Sequence, residues 1–233
     1  GALEFSETIA KSKTQPIIGI QINVKINDLI GKIPLFAKNL EGYKNLIKLS
    51  SKSYLEINEN EEPHCTINDL VENYNGLILF TGSLDGLIGK LFTKNLTDQI
   101  NILINKLKIS FKDNLYIEIQ RHNDEGEKNF EKFLLKVSEK LKIPIIATHE
   151  VFYLNKDMHE AHDAYLCVGE KTYINAKDRR KYSDQHYLKS SKEMYEIFDD
   201  LPDALENNKN FPYRVSYRPK NSLPILPDIQ TTK

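Results

Sequence analysis

The sequence predicts an α/β fold with mostly parallel strands, built as an open sheet or a barrel. Three observations predict it. Apolar runs of strand length alternate with helical patterns from Pro16 to Thr148. Two of those runs, "GLILF" (Gly76–Phe80) and "IPIIAT" (Ile143–Thr148), are almost wholly apolar, as strands buried on both faces are. Between the runs lie segments with apolar residues near helical spacing, the clearest being the amphipathic "GEKNFEKFLLKVSEKLK" (Gly126–Lys142).

Each element can be read in order. "GALEFSETIAKSK" opens the chain as an amphipathic helix without a cap, so it reads as the continuation of something whose preceding strand and turn are absent. "PIIGIQINV" (Pro16–Val24) and "IPLFA" (Ile33–Ala37) read as strands, and "EGYKNLIKLSSKSYL" as a helix. Thr66 before "INDLVENY", with Asp69 three residues on, is close to a capping box that starts a short helix. "TGSLDGLIGKLF" follows the Gly76–Phe80 strand, then "LTDQINILINKLKISF" repeats apolar residues at helical spacing. "NLYIEIQ" (Asn114–Gln120) alternates as a strand does. Leu134 and Leu141, seven apart on the amphipathic helix, should face the sheet. From Met158 the rhythm gives way to helical pieces, and "YRPKNSLPILPDIQTTK" is proline-punctuated and extended. This divides the chain into a domain over 1–212 and a linker over 213–233.

Composition narrows the function. With 233 residues and 40% hydrophobic content the chain can bury one sizeable core. A net charge of −1 announces no electrostatic nucleic-acid binder, although a neutral sum can hide a basic face. Two distant cysteines, Cys65 and Cys167, read as free thiols in a reducing compartment, and no apolar run approaches the ~20 residues of a membrane span. The opening helix carries acids and no apolar signal-peptide core, so the expected location is the cytoplasm.

In α/β folds the working residues sit at the C-terminal ends of strands. Glu118, Gln120 and His122 follow one strand at a spacing that can share a face, His149 and Glu150 follow the next, and Gln21 lies within the first. Oxygen and imidazole ligands converging there would suit zinc, manganese or magnesium; the alternative is that strand ends are polar because they meet water. His159-Glu160-Ala161-His162 lacks the i, i+4 histidines of the zinc-protease helix, and helix capping or surface polarity accounts for it better. "GSLDGLIGK" lacks the order of a phosphate loop, so its glycines are expected to shape a turn.

Taken together in order, "GALEF", "QPIIGIQINV", "AKNLEGYKNLIKLSSKSYL", "GLILFTGSLDGLIGKLF", "LYIEIQRHN", "IPIIATHEVFYLNKDMHEAHDAYLCVGEK", "YSDQHYLKSSKEMYEIFDDLPDALENN" and the exit "LPILPD" resemble the N-terminal PHP (polymerase and histidinol phosphatase) domain of bacterial DNA polymerase III alpha subunits, over nearly the whole chain. The resemblance implies a distorted (βα)7 barrel, here lacking its first strand or strands and followed by short helices and the linker. It also implies a nine-residue metal cluster at the barrel mouth, often zinc, that in some members hydrolyses phosphate esters. At the matching positions this chain has Gln21 for a glutamate, Lys32 for a histidine, Glu150 for an aspartate and Phe152 for a histidine, while Glu118 and His122 match. The His-x-His and Thr-Asp-His motifs are absent from this chain.

The expectation is therefore a vestigial site at Gln21, Lys32, Glu118, His122, Glu150 and Phe152, with no catalytic residue and no metal. The alternative is a zinc- or manganese-dependent phosphoesterase, a 3′–5′ exonuclease or pyrophosphatase, using Glu118, His122 and Glu150. A role as a structural and interaction module is implied, with the polymerase core of the same parent chain, a proofreading exonuclease subunit and, through the parent, DNA as partners. Magnesium would serve the parent's nucleotidyl transfer, whose carboxylates lie outside this chain.

Overall fold

The computed structural model describes residues 1–223. The "LPILPD" exit beyond Leu223 lies outside the described residues. The elements run α1 (Ala2–Lys11), β1 (Gly19–Ile26), β2 (Leu29–Ala37), α2 (Leu40–Leu55), β3 (Cys65–Thr66), α3 (Ile67–Glu72), β4 (Leu77–Phe80), α4 (Leu87–Thr93), α5 (Thr97–Phe111), β5 (Leu115–Ile119), α6 (Glu127–Leu141), β6 (Ile145–Ala147), α7 (His159–Glu170), α8 (Ser191–Ile197) and α9 (Pro202–Asn210).

The strands form one mixed six-stranded sheet in the order β3-β1-β2-β4-β5-β6, consistent with a partial PHP-type barrel. The β1–β3, β4–β5 and β5–β6 pairings are parallel, and β1–β2 and β2–β4 are antiparallel. The antiparallel part comes from a hairpin. Asn27 adopts a left-handed φ of 52°, and Ile26 pairs with Leu29 across the turn. Asn tolerates that region better than most residues, which suits it to this turn. β4 is buried along its whole length, as its composition predicts, but it is parallel to β5 and antiparallel to β2.

The main core fills the space between the sheet and helices α2, α4, α5 and α6. Leu49, Leu91, Ile104, Leu107 and Leu134 are all buried in it, and Leu141 packs at its margin as the helical spacing predicts. A second cluster, on the other face of the sheet, gathers Ile78, Phe80, Tyr116, Phe211 and Val215. The capping box at α3 is present in full: the Thr66 hydroxyl accepts the Asp69 N–H while the Asp69 carboxylate accepts the Thr66 N–H. Beyond α9, Ser216 donates its N–H to the Lys38 carbonyl, and the Ser6 hydroxyl donates to the Pro219 carbonyl 2.9 Å away, so residues 216–219 lie along the domain.

The outer edge of β6 is closed by side chains. Asn208 accepts the Ala147 N–H and donates to the Ala147 carbonyl, and Asn207 donates to the carbonyl of Ile145. Two asparagine amides thus satisfy the backbone groups that an edge strand would otherwise expose.

Candidate functional site

The C-terminal ends of β5 and β6 place the sequence-flagged residues together. Glu118 is 5% exposed and its carboxylate is fully engaged. One oxygen accepts from Gln120 Nε2 at 3.0 Å and from the Thr148 hydroxyl, and the other accepts the Gly82 N–H at 3.0 Å. Burial pushes the Glu118 carboxyl above the ordinary range, against the pull of those three donors. Gln120 is therefore a partner of Glu118 and also donates to Thr148.

His122 follows β5 and is 2% exposed. Its own N–H and that of Asn123 both donate to Glu127 Oε2, and its Nδ1 lies 3.0 Å from Glu127 Oε1. Its Nε2 accepts the Glu150 N–H at 3.1 Å. That acceptor role places the ring hydrogen of neutral His122 on Nδ1, facing the carboxylate.

His186, a residue no sequence motif singled out, is also 2% exposed. Its Nδ1 lies 3.0 Å from the Glu150 carbonyl and its Nε2 3.0 Å from Asp124 Oδ2. Asp124 additionally accepts the Ser183 N–H. Burial opposes ionisation of Asp124, but its hydrogen bonds from His186 and Ser183 outweigh this and hold the carboxyl below its usual range. His122, Asp124 and His186 present ligand atoms within 4.8 Å of one another, a group that could hold a metal ion.

Five rings stack into a column across this region. Centroids are 4.4 Å apart for His149–His122, 4.0 Å for His122–His186, 4.7 Å for His186–Phe152 and 5.1 Å for Phe152–His162. The His122 and His186 planes differ by 1°. Burial, followed by the neighbouring His122, lowers His149 to about 4, so this imidazole is neutral at physiological pH, and its Nε2 faces the Tyr187 carbonyl. Phe152 enters the column as an apolar ring, anchored by its N–H to the His186 carbonyl.

A cleft of about 170 Å³ opens beside the column and is lined by Gln21, Lys32, Glu150, Phe152 and Arg180 among others. A neighbouring cavity of about 260 Å³ carries the acids Asp85, Asp124, Glu125, Glu127 and Glu150 next to His122 and His186. Gln21 and Lys32 come from the hairpin side and are exposed.

His159 and His162 do not cap α7, whose N-terminus has no side-chain cap. His159 Nε2 instead meets the Tyr182 carbonyl at 3.0 Å, and His162 ends the ring column. Polar surface alone would not have produced either contact. The loop after β4 behaves as expected of a turn, with Gly82 at a φ of +86°.

Among the described residues no helix is long and apolar enough to cross a membrane. The PHP domain family model matches residues 1–122. Curated relatives extend the similarity to 99% of the chain. DNA polymerase III subunit alpha of Rickettsia bellii is 37% identical over 232 residues, that of Caulobacter vibrioides 32% over 239, and that of Vibrio cholerae 32% over 235. The chain spans about a fifth of the length of these relatives, 20%, 21% and 20% respectively. The mixed sheet, the histidines gathered at its strand ends and the family match agree: this chain belongs to the PHP domain family.

Proposed function

We propose that the chain is the PHP portion of a DNA polymerase III alpha subunit acting in chromosomal replication, and that it serves as a structural and interaction module whose ancestral metal cluster has been lost. The observation that carries this reading is the cleft shared by Gln21, Lys32, Glu150 and Phe152. At these positions the family resemblance implies three other ligands and an aspartate. Here they are an amide, an ammonium group, a longer acid and an apolar ring. An ammonium group in that cleft repels a cation, and a phenyl ring offers it no lone pair. Glu118 and His122 remain, but both are committed to hydrogen bonds within the protein.

An unpartnered helix face supports the interaction role. Met158, just before α7, and Ala161, Tyr165 and Val168 along it form an exposed apolar stripe at helical spacing, and Tyr173 and Ile174, 80% and 60% exposed, follow the helix. Such patches mark docking surfaces. The partners on this reading are the polymerase core of the same parent chain, a proofreading exonuclease subunit and, through the parent, DNA, in the cytoplasm. Nucleotidyl transfer, with its magnesium, belongs to the rest of the parent.

The second reading is a metal-dependent phosphoesterase, favoured by the His122, Asp124 and His186 group. A bound zinc or manganese ion there would activate water and polarise a phosphate oxygen. Incubation of the purified chain with a 3′-labelled oligonucleotide and with pyrophosphate, in zinc or manganese, separates the two. No hydrolysis is expected. Turnover that disappears in His122→Ala would overturn the structural reading.

A further inference from the structure

We infer that the outer face of α6 is a contact surface for duplex DNA, which it holds by the phosphates without reading bases. The inference deepens the proposed role in replication and rests on it for the choice of DNA as the polyanion. It adds a direct contact where that reading reaches DNA only through the parent.

A net charge of −1 does not say where the charges lie. On α6 they are sorted by face. Phe130, Leu134 and Val137 are buried on the inner face. Lys128, Lys132, Lys136 and Lys140 recur every four residues and are all exposed. Residues four apart are neighbours on a helix surface, so the four lysines form one row, inclined to the helix axis. None of them enters an ion pair among the described residues.

The acids of the helix are mostly spent elsewhere. Glu127 accepts the N–H groups of His122 and Asn123 and faces His122 Nδ1. Glu131 accepts from Arg121 Nε at 3.0 Å and from Nη2 at 2.6 Å. Of the three acids on α6, only Glu139 is exposed. Glu125 stands just before the helix, while exposed Lys142 follows it and the Lys108 ammonium of α5 donates to the Leu141 carbonyl at the same end. Positive charge therefore grows toward the C-terminal end of the row.

Helix stability does not account for the row. A cation is favoured in the last turn, which covers Lys140, but Lys128 stands in the first turn, where the helix dipole favours acids. Like charges four apart also repel one another. A partner of opposite and repeating charge relieves both effects.

Duplex DNA fits the row. At about 1.5 Å per residue, the row is about 18 Å long. A duplex carries a phosphate about every 1.7 Å of its axis, so about ten lie within that length and each ammonium group can meet a different one. The row bears no aromatic ring on which unpaired bases would stack and no apolar side chain that would enter a bilayer. Phe133 and Leu135, at its margins, are partly buried and pack against the core.

The test is fluorescence anisotropy of the chain with a labelled mixed-sequence duplex of about 20 base pairs, from about 25 to about 200 mM salt. The logarithm of the association constant should fall against the logarithm of salt concentration with a slope of about −3 to −4, as four phosphate contacts require. Lys132→Ala with Lys136→Ala should flatten that slope by about 2 and weaken low-salt binding by more than about tenfold. Glu139→Gln should tighten binding. Lys11→Ala with Lys13→Ala, exposed lysines outside α6, should leave the slope unchanged. If the α6 double variant fails to fold by circular dichroism, Glu139→Gln decides, because binding must still tighten. No duplex binding at low salt, a slope indifferent to the α6 lysines, or tighter binding to an unpaired strand would each overturn the surface. So would polyglutamate that competes as well as DNA of equal charge. An indifferent slope leaves the module role standing, whereas hydrolysis by the metal-loaded chain sinks that role and leaves the slope as it is.

Discussion

The two sides of the cleft mouth differ in kind. On the β5–β6 side, Glu118, His122 and His186 are buried, and their polar atoms are matched by named partners. On the hairpin side, Gln21 and Lys32 are exposed. The difference teaches that a change of side chain should cost little where it faces water and more where its polar atoms are buried and matched. Removing a partner from a buried polar group costs about 1–3 kcal/mol, whereas exposed changes away from special features stay within about ±0.5 kcal/mol.

The comparison can be broken from either side. The largest expected effect lies under the β5–β6 side, where Leu134 of α6 is 1% exposed. Leu134→Ala should lower unfolding stability by about 2–5 kcal/mol in urea denaturation, and a loss near zero would mean that α6 does not support this half. On the hairpin side, Gln21→Glu combined with Lys32→His should move stability by no more than about 0.5 kcal/mol per site in the same assay. A loss of 2 kcal/mol or more, on the order of a buried-group defect, would erase the distinction.

The smallest effect concerns pH. Glu193 closes a capping box at α8, where the Tyr187 hydroxyl, then the Ser190 N–H and hydroxyl, hold its carboxyl down to about 2. A depressed carboxyl stabilises the fold above its unfolded value of 4.5, and that contribution fades as pH falls from there through about 2. Melting curves across this window should therefore show slightly more acid sensitivity in the unaltered chain than in Glu193→Gln. Equal slopes would show that the box contributes nothing to the order of the segment beside the site.

Much of the scaffold was legible. The core face of α6, the Thr66–Asp69 box and the apolar β4 follow from spacing and composition, because local periodicity and capping chemistry report local structure. The hairpin carried a usable signal, Asn27-Asp28 between apolar runs, but the alternating-element rhythm favoured parallel pairing and hid it. Ser190 and Glu193 repeat the capping spacing already recognised at Thr66, and the box is equally plain in retrospect. The site was half legible. Glu118 and His122 sit at a strand end, where topology directs attention. Asp124 and His186 meet across 62 residues of chain, and no local pattern announces a contact of that range. The ring column is a property of packing alone: the sequence marks Phe152 only as a departure from the family pattern, and its place between His186 and His162 comes from the fold.

The asparagine seal on β6 gives the sheet a direction of growth. With the Ile145 carbonyl and both backbone groups of Ala147 already bonded to Asn207 and Asn208, that end is a poor template for another strand. At the opposite end, β3 pairs only with Val24 and Lys25, and among the described residues Gly19–Asn23 have no strand neighbour on the side away from β2. The backbone left without a strand neighbour thus lies on the hairpin, beside the cleft that holds Gln21 and Lys32.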